Sequence, residues 1–148
     1  MTVPSPMLLD ETKGLLAKLV AFDTTSRNSN LPIIDFIEDY LKQHGVESTR
    51  VPDETGNWSS LFATIGPQDI SGIGLSAHTA VVPVDGQDWE TDPFELIEKG
   101  TKLYGRGACD MKGFVACVLA KVPELKTRNL KTPIHIVFSY DEEVGCTG

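Results

Sequence analysis

Apolar residues in the first third of the chain recur at helical spacing. Between positions 8 and 22 they predict an amphipathic helix, with acidic residues early and Lys18 late, as the helix dipole favours. A polar loop over 24–30 ends at a predicted helix cap, and Pro32 suits the first turn of a second helix. Gly45 ends that second helix in the position where a left-handed residue is common.

The remainder of the chain alternates between short strand patterns and one further helix. Strands are predicted over 46–51, 60–65, 72–78 and 134–138, and a hairpin over 94–104 turns at Lys99-Gly100; a helix over 111–122 comes between hairpin and last strand. The uncharged run 72–78 is typical of a strand buried on both faces. These elements together predict an α/β fold in which a mixed β-sheet is flanked by helices.

The chain leaves its most apolar predicted strand with no element to cover it. Acidic and small residues follow 134–138 directly, up to Gly148. We therefore expect this strand to present an uncovered edge, which is either an association surface or a sign that the chain is a fragment.

Composition narrows the class of protein. The 148 residues fit one domain, and the hydrophobic fraction of 41% with 23% charged residues is that of a soluble globular protein. A net charge of −8 argues against nucleic acid or an anionic membrane as partner. No signal peptide and no membrane-spanning run is recognised, and three cysteines without zinc-type spacing favour a reduced, cytoplasmic location.

Three positions that follow apolar runs carry groups suited to metal-assisted hydrolysis. His78 and Asp110 each end a buried-looking segment, and Glu142-Glu143 closes the chain. Taken singly, each has an ordinary explanation: a structural histidine, a helix-capping aspartate and a solvated acidic turn. Gly105-Arg106-Gly107 lacks the spacing of a phosphate-binding loop. His135 and His44 are interpreted as structural.

The neighbouring glutamates suggest a division of labour. Adjacent side chains on an extended segment point in opposite directions, so Glu142 and Glu143 are expected to do different jobs. One carboxylate can ligate a metal while the other accepts a proton from water.

Three motifs in register resemble one enzyme family. They are Ser76-Ala77-His78-Thr79-Ala80-Val81-Val82-Pro83-Val84-Asp85-Gly86, then Gly105-Arg106-Gly107-Ala108-Cys109-Asp110-Met111-Lys112-Gly113, then Ser139-Tyr140-Asp141-Glu142-Glu143-Val144-Gly145-Cys146. The chain is similar to the dinuclear-zinc amidohydrolases and peptidases, which include succinyl-diaminopimelate desuccinylase, aminoacylase and glutamate carboxypeptidase. The last motif resembles the branch that deacetylates acetylornithine. The resemblance implies that residues 1–148 are a truncated N-terminal half of the catalytic domain, without the lid domain.

The resemblance also implies roles for the candidate residues. His78 would bind one zinc (or cobalt) ion, Asp110 would bridge two ions, and Glu143 would bind the second. Glu142 would be the general base for hydrolysis of an N-acyl amino acid, with N-acetyl-L-ornithine giving ornithine and acetate in arginine biosynthesis. A homodimer, or association through the uncovered sheet edge, is the expected assembly.

Two departures from the family pattern lead us to expect that this chain alone is inactive or nearly so. Ala80 stands where the family has an aspartate that orients the ligating imidazole, and losing such a group typically costs about 10–100-fold in metal affinity or activity. The family's two remaining metal ligands would lie beyond Gly148. The competing hypotheses are a non-catalytic module that self-associates or pairs with a second chain, and an amidohydrolase of different substrate completed by a second polypeptide.

Overall fold

The computed structural model describes residues 5–146, which form a mixed sheet packed against three helices. The elements in chain order are α1 (Pro6–Val20), α2 (Leu31–Gln43), β1 (Ser48–Pro52), β2 (Ser59–Ile65), β3 (Ile73–His78), β4 (Ile97–Lys99), β5 (Lys102–Tyr104), α3 (Gly113–Thr127) and β6 (Ile134–Ser139). The four-stranded sheet has the order β1-β2-β6-β3, with β3 parallel to β6 and the other pairs antiparallel. Strands β4 and β5 form a separate hairpin. The predicted α/β class is confirmed.

The first two helices begin and end where the sequence signals lie. The Ser5 side chain accepts a hydrogen bond from the backbone amide of Leu8 at 3.3 Å, which caps α1. Helix α2 carries proline in its first turn and is followed by Gly45 at φ 69°. Both helices bury one apolar face, as their periodicity predicts.

The helices pack on a single face of the sheet. Leu61 and Ala63 of β2 and Ile136 and Phe138 of β6 are buried in the core that the helices share. The residues between them point the other way, and Phe62 is 42% exposed. We call this second side the open face; it includes Thr49, Val51, Ser60, Phe62, Thr64, Gly74, Ser76, His135 and Val137.

Two expectations about strand position are wrong. Strand β6 is not an uncovered edge, because it is hydrogen-bonded to β2 on one side and to β3 on the other. Strand β3 is not buried on both faces, because Ile73, Gly74 and Ser76 are exposed; it also lies at an edge of the sheet. Hydrophobic patterning reports the burial of side chains, and it carries no information about which strands pair.

The third helix differs from its prediction at both ends. Residues Ala108–Lys112 form an irregular turn, so the regular helix starts at Gly113, and it continues past Pro123 to Thr127. Phe114, in the first turn of α3, is 39% exposed. In the part of the chain that the structure describes, no helix is both long and apolar enough to cross a membrane.

A matched pair of substitutions tests the assignment of the two sheet faces. Phe138→Ala empties a fully buried site and should lower the free energy of unfolding by about 3–5 kcal/mol. Phe62→Ala, on the open face, should cost about 1 kcal/mol or less. Urea unfolding followed by circular dichroism measures both, and equal losses would show that the two faces are assigned incorrectly.

Candidate metal centre

The predicted site residues meet at the carboxyl ends of two parallel strands. His78 is the last residue of β3 and pairs in register with Ser139, the last residue of β6. The chain then passes through Asp141 into a short 3-10 turn, Glu142–Val144. Because parallel strands end at the same edge of a sheet, this arrangement places the acidic turn beside the histidine.

The His78 imidazole lies at the centre of these groups and is 5% exposed. Its Nε2 atom is 3.1 Å from Oδ1 of Asp110 and 3.6 Å from Oε2 of Glu142. Its Nδ1 atom lies 2.9 Å from the backbone carbonyl oxygen of Ala80. The ring thus presents one nitrogen to the carboxylates and the other to the main chain.

Three candidate residues can offer ligand atoms to one ion. A nitrogen of His78 and carboxylate oxygens of Glu142 and Glu143 all lie within 4.8 Å of one another. Asp110 is not a member of this trio, although its carboxylate touches the imidazole. Nitrogen and oxygen ligands of this kind suit zinc and related divalent ions.

The premise used to separate the two glutamates is wrong. Residues 142–144 are not extended but form a turn, so Glu142 and Glu143 approach the same histidine. A division of labour between the two carboxylates remains a prediction; it now rests on their different surroundings, because Glu142 is exposed and Glu143 is half-buried.

The pKa of the Glu143 carboxyl is shifted by the surroundings of this residue. Burial raises the pKa of its carboxyl, and the nearby carboxylates of Asp110 and Glu142 raise this pKa further. His78 and Arg106 act in the opposite direction on the same pKa. Several negative groups gathered around one imidazole are mutually unfavourable, and a bound cation would relieve that repulsion.

A compact irregular turn presents Asp110. Gly107 precedes the turn at φ 76°, and the Asp110–Met111 peptide bond is cis. The amide of Lys112 donates to the carbonyl of Gly107 at 2.8 Å, which closes the turn. The Asp110 side chain is 77% exposed and therefore accessible from solvent.

The buried side chain of Lys112 anchors this turn to the rest of the fold. This role was not predicted from the sequence. Its side chain is fully buried, and Nζ donates to the carbonyl oxygen of Phe22, beyond the end of α1, at 2.7 Å. Burial lowers the pKa of the ammonium group to about 8, partly opposed by Asp23. Lysine is ordinarily exposed, so no sequence pattern signalled its burial.

A buried hydrogen-bond network around Thr79 was also not predicted. The Thr79 hydroxyl donates to the Ser139 carbonyl at 3.0 Å and accepts from the Asn30 side chain at 3.1 Å. The Thr24 hydroxyl donates to the Thr79 carbonyl at 2.5 Å. Asn30, predicted as a helix cap, makes no capping bond and instead pairs with the backbone of Ser59.

A cavity of about 440 Å³ lies near the β4–β5 hairpin, between Trp89, Glu90, Lys99 and Tyr104. None of the four predicted site residues lines it. Its lysine already pairs with Glu90 at 2.9 Å and lies over the Tyr104 ring. The cavity is therefore separate from the His78 cluster, and its cationic group is already engaged.

Comparison with protein families matches the chain to the peptidase family M20/M25/M40 over residues 74–148. Acetylornithine deacetylase of Myxococcus xanthus is 39% identical over 95% of the chain, and that of Proteus mirabilis is 34% identical over all of it. These alignments cover 37% and 39% of the two relatives. The chain thus spans less than two-fifths of the length of the relatives it matches.

Solved structures share the architecture. Human carnosine dipeptidase 1 superposes on 98% of this chain with a TM-score of 0.75 and 25% identity, using 37% of its own length. A family M20 metallo-carboxypeptidase from Sulfolobus solfataricus superposes on 91% with a TM-score of 0.79 and 21% identity, using 32% of its length. At 21% identity, the similarity to the carboxypeptidase concerns the fold alone.

Two glycines with nearly the same backbone angle test how tightly the Asp110 turn is packed. Gly107→Ala places a Cβ 2.6 Å from Cγ1 of Val81 at φ 76°, whereas Gly56→Ala meets nothing within 4 Å at φ 74°. Left-handed strain alone should cost about 1–2 kcal/mol, and the clash at Gly107 should add about 1–3 kcal/mol. Urea unfolding of both variants gives the difference; equal costs would mean that Val81 yields freely.

Proposed function

The chain belongs to the peptidase family M20/M25/M40, and we propose on this basis that it supplies part of the catalytic domain of a metal-dependent amide hydrolase. The single observation that carries the proposal is the convergence of His78, Glu142 and Glu143 within 4.8 Å, with Asp110 against the same imidazole. A nitrogen and several carboxylate oxygens form the ligand set that hydrolytic zinc sites use.

The substrate we propose is a small N-acyl amino acid, specifically N-acetyl-L-ornithine. Hydrolysis of its amide would give L-ornithine and acetate, a step in arginine biosynthesis. Support comes from the relatives named acetylornithine deacetylase at 39% and 34% identity. We place the reaction in the cytoplasm, in keeping with the free thiols of Cys109, Cys117 and Cys146.

The residues present fit a divalent ion, which we propose to be zinc or cobalt. His78 Nε2 is directed at the carboxylates because Nδ1 is engaged by a carbonyl, and the Glu143 carboxyl has a raised pKa in the company of Asp110 and Glu142. In our proposal His78, Asp110 and Glu143 hold the metal. When bound, the metal supplies Lewis-acid polarisation of the scissile carbonyl.

Glu142 is the general base in this proposal. Its side chain is 52% exposed, and Oε2 lies 3.6 Å from His78 Nε2, so it borders the ligand cluster while remaining open to solvent. From that position the carboxylate can take a proton from the attacking water and pass it to the departing nitrogen.

We further propose that the 148-residue chain alone has little or no deacetylase activity. The His78 cluster offers one imidazole, and within residues 5–146 the other histidines, His44 and His135, are not part of it. Catalytic zinc ordinarily keeps about three protein ligands, so His78, Asp110 and Glu143 alone do not complete a two-ion centre.

Zinc binding tests the assignment of His78. Loss of a group that only orients a metal ligand typically lowers affinity by about 10–100-fold. His78→Ala removes a proposed ligand itself, so it should lower zinc affinity by more than this. The matched control is His135→Ala, on the open face, which should leave affinity unchanged. Competition with a chromophoric chelator measures both variants; similar affinities would contradict the proposed site.

Turnover tests the proposed inactivity. The chain is incubated with N-acetyl-L-ornithine and added zinc or cobalt, and released ornithine is measured beside a complete acetylornithine deacetylase. We expect turnover far below that of the complete enzyme. Comparable turnover would overturn the proposal that His78, Asp110 and Glu143 alone are insufficient as metal ligands.

A second candidate function is self-association, favoured by the character of the open face. Phe62 and Val51 are 42% and 56% exposed there, and Phe62 stacks on His135 at 5.8 Å between ring centroids. No Asp, Glu, Lys or Arg belongs to the open face, although the chain carries a net charge of −8. Two copies of the chain can therefore meet through this face without burying like charges. We propose a second copy as the occupant, through the face and not the edge expected from the sequence.

Light scattering over a range of concentrations tests this association. Phe62→Asp should convert the associated species to monomer, because it buries a charge against a neighbouring copy. Leu9→Asp is the control, since Leu9 is 48% exposed on α1, away from the sheet. A parent chain that stays monomeric throughout, or equal effects of the two variants, would rule this candidate out.

A further inference from the structure

His78 is oriented by the main chain. Its Nδ1 atom lies 2.9 Å from the carbonyl oxygen of Ala80, two residues later, and both residues are buried. A carbonyl oxygen can only accept a hydrogen bond, so the Nδ1 atom must carry a proton. Nε2 is then the nitrogen left to face Asp110 and Glu142. Metal-ligating histidines generally donate their other ring N–H in this way, to a carboxylate, a carbonyl or water.

The Ala80 carbonyl is held in place from both sides. On one side, the amide and hydroxyl of Thr79 both donate to the Ser139 carbonyl, at 2.8 and 3.0 Å. On the other, the amide of Val81 donates to the Thr24 carbonyl at 3.0 Å. The segment 79–81 is at most 1% exposed, so water does not compete for the carbonyl. Its direction is therefore fixed by the fold.

We propose that the backbone carbonyl of Ala80 is the group that positions the His78 imidazole. It does so in place of the aspartate carboxylate that orients the imidazole in the family that the chain resembles. The inference rests on the proposed function in that His78 is a metal ligand there. The methyl side chain of Ala80 cannot accept a hydrogen bond from the imidazole. The imidazole nevertheless has an orienting partner, because the backbone carbonyl of the same residue supplies the acceptor.

The proposal makes a quantitative distinction. If His78 lacked an orienting partner, restoring the carboxylate with Ala80→Asp should raise zinc affinity by about 10–100-fold. If the carbonyl already fills that role, Ala80→Asp should change zinc affinity by less than about threefold. Ala80→Asn, which has the same shape without the charge, is the matched control and should behave in the same way. A gain of tenfold or more in the aspartate variant alone would overturn the proposal.

A second measurement uses the unaltered chain and so does not depend on the folding of a variant. Proton–nitrogen NMR of the His78 ring should show a slowly exchanging proton on Nδ1 with a nuclear Overhauser effect to the backbone of Ala80 or Val81. A structural histidine elsewhere, such as His135, would not give this contact. An unprotonated Nδ1, or a Nδ1 proton in rapid exchange without that effect, would overturn the proposal.

The two proposals can fail separately. If the chain binds no zinc, the proposed metal function fails, while the Nδ1 proton in the metal-free chain still decides how His78 is oriented. If zinc binds and the Nδ1 proton contacts water or another side chain, the metal function stands and the positioning role of Ala80 is overturned.

Discussion

The hydrogen bonds of Thr79 hold together the segments on which the candidate site depends. The Thr79 amide and hydroxyl both donate hydrogen bonds to Ser139, at the end of β6. Its carbonyl and hydroxyl accept hydrogen bonds from Thr24 and Asn30, in the loop between α1 and α2. Thr79 is fully buried. A bond of this kind contributes about 1 kcal/mol net, but a buried partner left unsatisfied costs about 1–3 kcal/mol. The network therefore penalises any other arrangement of these segments.

This constraint explains how an unfavourable group of charges can persist. Asp110, Glu142 and Glu143 surround a single buried imidazole, and the raised pKa of Glu143 reflects its burial and the repulsion from its neighbours. Burial of apolar side chains on the helix side of the sheet, among them Ile136 and Phe138, stabilises the strands that carry the site. The fold supplies stability on one side of the sheet and tolerates crowded charge at its end.

The sequence predicted some of these features for physical reasons and missed others. Helices α1 and α2 were found because an amphipathic stripe and end signals are local properties. The central position of β6 in the sheet was not predicted, since strand pairing joins segments that are far apart in the sequence. The resemblance brought out His78, Asp110, Glu142 and Glu143, which periodicity alone could not distinguish from ordinary polar residues. Lys112 was missed because its burial is visible only once the carbonyl of Phe22 is in place.

The choice of a main-chain acceptor for His78 has an electrostatic consequence. A carboxylate at position 80 would add a further negative charge beside a cluster that already crowds Glu143. A carbonyl is neutral, and here its direction is set by the bonds of Thr79 and Val81, so no side chain must be ordered to provide it. The main chain thus keeps the geometry of the ligand while leaving the charge of the cluster unchanged.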